Sequence, residues 1–321
     1  MDKKGSNFFI KNLLVWTMLI FLFSIVALGL INKFIVSSNN VKVEEPKVLE
    51  QSLSSPITEE VKLPQQEFKP SIESPILNAK AYLVMDVKND KVLVSENADM
   101  QLPPASLTKI MTAIIAMEEY NLSKSVVIPE KCIGLNGTSI GLQLNEVFTL
   151  EDLLYGLLVK SGADAACAIA NISSEEEFLQ KMNDKAKSIG LENTVFQNEI
   201  GFDAENNQLT SVNDIKKLSL YALKISTFRK IIGTKNAVIK NLVTGQTYSF
   251  VNTNDLLFSI PGTVGIKTGL TERAGQCLSY LYQNKDREIM IVILGSQDRF
   301  GDTKTLLNWA NLELDFQAKE L

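Results

Sequence analysis

The rhythm of polar and apolar positions changes several times along this chain. Residues 12–32, NLLVWTMLIFLFSIVALGLIN, carry no charged side chain. Wound as a helix, such a run spans about 32 Å, close to the hydrocarbon thickness of a bilayer. Lys3, Lys4 and Lys11 precede it and only Lys33 follows closely, so the positive-inside rule places the N-terminus in the cytoplasm and the rest outside. The pattern predicts a cytoplasmic tail over 1–11 and a transmembrane signal-anchor over 12–34. A cleaved signal peptide is the rival reading, with Ala27-Leu28-Gly29 as the small-x-small site. Against it, the apolar residues continue past that site and outrun a usual h-region. Residues 35–76 then predict a linker. Pro46, Pro56, Pro64, Pro70 and Pro75 lie among Ser and Glu, and Phe68 is the one aromatic, too little apolar surface to fold alone.

From residue 77 to 321 the patterns become globular. AYLVMDVKNDKVLVSENAD (81–99) alternates around Asn89-Asp90 and predicts a β-hairpin. Residues 106–119 have helical spacing. TLEDLLYGLLVK (149–160) opens on a T-x-x-D cap and is amphipathic. A break at Ser161-Gly162 leads to a second helix over 163–171. Helices are also predicted over 173–190, with an acidic first turn and a Gly190 stop, and over 211–227. The chain then alternates strands near 246–251, 263–269, 275–283 and 289–295 before a last helix over 303–317. Strands at both ends with helices between predict an α+β domain: one antiparallel sheet built from both ends of the domain, plus a helical lobe. No repeat of 20–50 residues interrupts this order.

Composition narrows the chemistry. The 321 residues hold 32 basic and 37 acidic side chains and no histidine. A Ser-His-Asp triad, a His-paired cysteine and a His-ligated zinc are all excluded, and the base of any enzyme here is Lys, Asp, Glu or Tyr. The net charge of −5 gives no electrostatic case for nucleic acid. Cys132, Cys167 and Cys277 are widely spaced, without C-x-x-C, which argues against zinc and redox chemistry. Their odd number argues against a complete disulfide framework, and Cys167 and Cys277 read as small core residues. Gly134, Gly137 and Gly141 lack the strand–loop–helix setting of a phosphate cradle. Glu175-Glu176-Glu177 reads as a helix's first turn. No metal or organic cofactor is implied.

Three short motifs follow in order. Ser106-Leu107-Thr108-Lys109 is S-x-x-K at the start of a helix, where a three-residue spacing puts both side chains on one face and free backbone N–H groups face a developing negative charge. Ser161-Gly162-Ala163 sits in the break between two helices. Lys267-Thr268-Gly269 lies in a strand. Each alone is weak: S-x-x-K is also what a Ser cap with a solvated Lys looks like, and K-T-G an exposed turn. Their order and spacing together carry the signal.

With the flanking segments PPASLTKIMTA, LLVKSGADAACAIA, NTVFQNEIGF, NTNDLL and GIKTGLTERAGQCL, residues 77–317 resemble the D-alanyl-D-alanine carboxypeptidases, the low-molecular-mass penicillin-binding proteins. The resemblance implies a β-lactamase/transpeptidase-like fold and a serine peptidase. Ser106 would attack the carbonyl between two D-alanines of a peptidoglycan stem peptide and form an acyl-enzyme. Lys109 would be the base, its pKa lowered by burial and by the neighbouring cation of Lys267. Ser161 would relay the proton to the leaving amine. Lys267, Thr268 and, by a looser match, Arg299 would hold the terminal carboxylate. Gly269 would leave room for substrate along its strand, and the backbone N–H of Ser106 and Leu270 would form the oxyanion hole. β-Lactam antibiotics would acylate the same serine. The family's all-β second domain and C-terminal anchor find no counterpart, so the N-terminal helix would tether a single-pass protein of the bacterial cell membrane with its catalytic domain outside.

One position departs from the family pattern: Ala163 stands where the second motif ends in Asn. A lost hydrogen bond to a charged or reacting group costs about 1.5–3 kcal/mol, roughly 10–150-fold in rate, which weakens an enzyme without abolishing it. Asp164 should point elsewhere. Three other readings use the same residues: a D,D-endopeptidase, a non-catalytic penicillin-binding wall module, and a serine β-lactamase. The last needs a deacylating Glu in an E-x-x-L-N loop, and Glu199 in EIGFD does not match one.

Overall fold

A computed structural model describes residues 70–203 and 208–320. The tail, the signal-anchor and residues 35–69 of the linker lie outside the described residues. Among those described, no helix is long and apolar enough to cross a membrane.

The hairpin forms as its alternation dictates. Strands β1 (Ala81–Asp86) and β2 (Lys91–Glu96) are joined by a turn in which Asp90 takes the left-handed conformation that Asp tolerates. Asp86 caps that turn by accepting the N–H groups of Lys88 and Asn89. A 3-10 turn (Ala105–Thr108) leads into α1 (Lys109–Glu119). Strands β3 (Ser125–Val127) and β4 (Val147–Thr149) pair with each other, and α2 (Leu150–Tyr155) follows with Thr149 as its N-cap. A π-helical turn (Gly156–Lys160) ends α2. Helices α3 (Ala163–Ala170), α4 (Glu175–Ser188), α5 (Val212–Ala222) and α6 (Ser226–Ile232) complete the lobe. Then come the hairpin β5 (Asn236–Lys240) and β6 (Thr247–Val251), the short α7 (Leu256–Ser259), strands β7 (Thr263–Thr271), β8 (Gly275–Gln283) and β9 (Glu288–Ser296), and α8 (Arg299–Glu320).

The five-stranded sheet has the order β2-β1-β9-β8-β7, antiparallel throughout. It is assembled from both ends of the domain, since β1 pairs with β9 over Ala81–Asp86. Successive side chains of a strand face opposite ways, and both faces are buried. Leu83, Met85, Met290 and Val292 join the core under the helical lobe. Tyr82, Val84, Ile291 and Ile293 face Leu306, Trp309 and Ala310 of α8.

Three differences from the expected elements have physical causes. The helix predicted over 211–227 is two, because Ile225 is extended (φ −86°, ψ 110°) and Ser226 restarts the helix. The last helix begins at Arg299, four residues earlier than its apolar spacing, with the Asp298 carboxylate receiving the Gly301 N–H. Cys167 is not a simple core residue: it forms a disulfide with Cys132, while Cys277 stays free and buried. The odd count concealed one pair and one spectator.

The last residues of the Pro-rich stretch lie against α8. The Glu313 carboxylate accepts the N–H groups of Ser71 at 2.9 Å and Ile72 at 2.8 Å, and the Trp309 indole donates to the Glu73 carbonyl at 3.0 Å. Burial pushes the Glu313 carboxyl up, but the hydrogen bonds from Ser71, Gln317 and Ile72 outweigh it and hold it below the usual carboxylate range.

Candidate active site

Ser106 and Lys109 meet because the 3-10 turn passes directly into α1. Lys109 Nζ lies 3.0 Å from Ser106 Oγ and 2.6 Å from the Ile200 carbonyl. Its side chain is 1% exposed. Burial lowers its pKa to about 7, against the opposing pull of the Glu199 and Asp164 carboxylates. The expected neighbouring cation is in range, since the charges of Lys109 and Lys267 repel one another. Lys267 is the residue pushed well below the ordinary lysine range, first by burial and then by the charges of Lys109 and Arg299. A carboxylate arriving beside Lys267 would favour its charged form and draw its pKa back up.

Ser106 is framed by two close backbone approaches. A Cβ added to Gly201 (φ +91°) would sit 2.0 Å from the Ala105 carbonyl oxygen, and one added to Gly269 would sit 3.0 Å from Ala105 Cβ and 3.2 Å from Ser106 N. Ala105 itself has φ +48°, a strained conformation for a side-chain-bearing residue just before the nucleophile. The K-T-G strand therefore runs beside the Ser106 amide. Leu270, the next residue of β7, has an exposed side chain.

Ser161 ends the π-helical turn with φ +67° and ψ 30°, and π turns of this kind cluster at functional sites. It is buried, and its hydroxyl has no hydrogen-bond partner among the described residues. Ala163 is buried too, and its N–H donates to the Thr138 carbonyl at 2.7 Å. Asp164 is committed to the loop over residues 139–142. It gathers the Ser139 hydroxyl at 2.6 Å and the N–H groups of Ile140, Gly141 and Leu142 at 2.9–3.1 Å. The glycine-rich loop is thus a carboxylate-organised cover over the second motif, with Ile140 against Gly156 and Gly162. The Cys132–Cys167 disulfide ties the start of that cover to α3.

The third motif is held from behind. Lys267 Nζ donates to the Thr268 carbonyl at 3.0 Å. The Arg299 guanidinium donates to the Gly269 carbonyl at 2.8 Å, while its Nε is buried without a partner. Burial lowers its pKa. Lys109 and Lys267 thus sit within charge range of one another, and Arg299 reaches β7 at Gly269.

Several supporting residues escaped the motifs. Thr253 Oγ1 lies 2.6 Å from Thr268 Oγ1, and its N–H donates to the Val159 carbonyl at 3.1 Å; it links the π turn to β7. Gln208 donates to Thr108 Oγ1 at 3.0 Å and accepts the N–H groups of Gln197 and Asn198. Asn198 organises the turn carrying Ile200. NTNDLL holds Thr253 and NTVFQNEIGF holds Asn198, whereas Gln208 lies in neither segment. Glu199 is buried, which raises its carboxyl pKa, and its carbonyl accepts from the Thr112 hydroxyl at 2.6 Å. Among the described residues no group of three or more His, Cys, Asp or Glu side chains is placed to hold a metal.

The family model described as D-alanyl-D-alanine carboxypeptidase matches residues 68–298. The chain is 33% identical to the D-alanyl-D-alanine carboxypeptidase DacF of Bacillus subtilis, over 72% of this chain and 62% of that one. It is 32% identical to DacC of Escherichia coli, over 74% and 62% respectively. It therefore spans about three-fifths of the length of these relatives. Among solved structures, the Streptomyces K15 DD-transpeptidase is similar, with a TM-score of 0.69 and 28% identity over 74% of this chain and 98% of that one.

Proposed function

The chain belongs to the D-alanyl-D-alanine carboxypeptidase family, and on that premise we propose that it removes the terminal D-alanine from peptidoglycan stem peptides through a Ser106 acyl-enzyme. The observation that carries the proposal is the Lys109 amine, buried, 3.0 Å from Ser106 Oγ and poised near pH 7. Such an amine takes the hydroxyl proton as Oγ attacks. The tetrahedral oxyanion then faces the Ser106 and Leu270 N–H groups. Ser161, whose hydroxyl is uncommitted, passes a proton to the departing D-alanine. Water attacks the ester, Lys109 again serving as base. Lys267, Thr268 and Arg299 receive the terminal carboxylate. Penicillins, which place a carboxylate and a reactive amide alike, acylate Ser106.

We also propose that the domain works outside the cytoplasmic membrane, tethered through the uncharged segment 12–32. The Cys132–Cys167 disulfide supports this, because such bonds persist in oxidising compartments.

The test is D-alanine release by the full-length protein from an N-acylated Lys-D-Ala-D-Ala peptide, with labelling by a fluorescent penicillin. Release and labelling that both vanish in Ser106→Ala support the proposal. Ala163→Asn should raise release by about tenfold. Labelling without release points to an endopeptidase or another acceptor. A folded protein that does neither refutes the proposal.

A further inference from the structure

We propose that Asn198 is a positioning residue for the Ser106–Lys109 pair, acting through the peptide that joins Ile200 to Gly201. The inference rests on the reading of Ser106 as an acylated nucleophile and Lys109 as its base.

Asn198 Oδ1 accepts three backbone N–H groups, from Ile200 at 3.2 Å, Gly201 at 2.7 Å and Phe202 at 3.1 Å. The middle bond matters most. In a trans peptide the N–H and the preceding C=O point in opposite directions. Drawing the Gly201 N–H onto Asn198 therefore aims the Ile200 carbonyl the other way, and there it meets Lys109 Nζ at 2.6 Å. A carbonyl so aimed fixes the amine in place and leaves its remaining positions for Ser106 Oγ. The same turn presses Gly201 against the Ala105–Ser106 peptide. One side-chain amide thus sets the base and supports the segment that carries the nucleophile.

The amide is itself anchored. The Asn198 N–H donates to Gln208 Oε1 at 2.9 Å, Gln208 Nε2 donates to Thr108 Oγ1 at 3.0 Å, and that hydroxyl donates to the Ala105 carbonyl at 2.9 Å. The circuit closes on the S-x-x-K turn. The charged groups facing Lys109 are the carboxylates of Glu199 and Asp164, and the cation of Lys267 with Arg299 behind it. A change at Asn198 is read against these.

Asn198→Asp is the decisive variant. It keeps the acceptor and adds a negative charge at the far end of the Gly201–Ile200 peptide. The quantity to measure is the rate of Ser106 acylation by a fluorescent penicillin, from acid to mildly alkaline pH, on the full-length protein. The rate rises with pH as Lys109 loses its proton. Asn198→Asp should move that rise upward by about one pH unit while the plateau stays within a few-fold of the parent. Asn183→Ala is the control, since Asn183 pins Phe196 at the other end of the same segment; it should lower the melting temperature without moving the rise. An unmoved rise in a folded Asn198→Asp overturns the inference. If that variant does not fold, Asn198→Ser decides: loss of the aimed carbonyl should move the rise to lower pH and cut the plateau at least tenfold, and an unmoved rise again overturns it. No acylation of the parent at any pH removes the Ser106 reading instead, a distinct outcome.

Discussion

The hydroxyl of Thr253 lies 2.6 Å from that of Thr268, joining the loop after β6 to the middle residue of K-T-G. Because Thr253 also holds the Val159 carbonyl two residues before Ser161, the second and third motifs are fixed relative to each other by one residue that belongs to neither.

Thr253→Val keeps the shape and removes that hydroxyl. One neutral hydrogen bond is worth about 1 kcal/mol, so kcat/KM for D-alanine release should fall about fivefold. The loss should fall mainly on KM, because the proposed function makes Thr268 a carboxylate ligand. An unchanged kcat/KM would show that Thr268 needs no such partner.

The lowered pKa of Lys109 makes two statements with one origin. Under the proposed mechanism Lys109 is the base and acts when neutral, so acylation should climb through about pH 7. In the unfolded chain the same amine titrates near 10.4. Between these values the unfolded state binds more protons, so the contribution of Lys109 makes the fold more stable as pH rises from about 7 to about 10. Lys109→Met removes the desolvation cost. It should abolish acylation and raise the melting temperature at pH 7 by a few degrees. A melting temperature that falls would contradict the assignment of burial as the dominant cause.

Gly201→Ala places a methyl 2.0 Å from the Ala105 carbonyl oxygen in a left-handed backbone. The Ala105–Ser106 segment must shift, and a displacement on the order of 1 Å costs roughly 100-fold. Penicillin acylation should drop by that amount while circular dichroism stays native. Acylation within a few-fold of the parent would mean the turn is freer than its contacts.

The Cys132–Cys167 bond closes a separation of 35 residues, a loop whose cross-link is worth about 4 kcal/mol on a chain-entropy account. A double Cys132→Ala, Cys167→Ala variant should melt well below the parent, and the parent should fall to the same point under a strong reductant. Thiol titration should find one cysteine in the unfolded oxidised chain and three after reduction. Equal melting of parent and variant would rule out a structural disulfide.

The core of this fold was legible because its signals are local. The hairpin at β1–β2, the Thr149 cap and the strands β7 to β9 rest on alternation and capping, and S-x-x-K and K-T-G are contiguous in the chain. What escaped depends on distance. Gln208 meets Thr108 a hundred residues away, Asn198 and Thr253 act through side-chain bonds whose partners only the fold supplies, and Gly201 through a close backbone approach. The short strands β3 and β4 are three residues each, below the length at which alternation speaks. The disulfide was hidden by the third cysteine.

The attachment of residues 71–73 to Glu313 and Trp309 has a mechanical consequence. Tension arriving along the chain ahead of residue 70 is delivered to α8, and through its apolar contacts to the face of the sheet opposite the helical lobe. The segment carrying Ser106 and Lys109 packs instead in the core under the helical lobe, through Ala105, Leu107 and Ile110. If the proposed tether exists, a pull along it would load the contacts of residues 71–73 with Glu313 and Trp309 before it reached the Ser106–Lys109 pair.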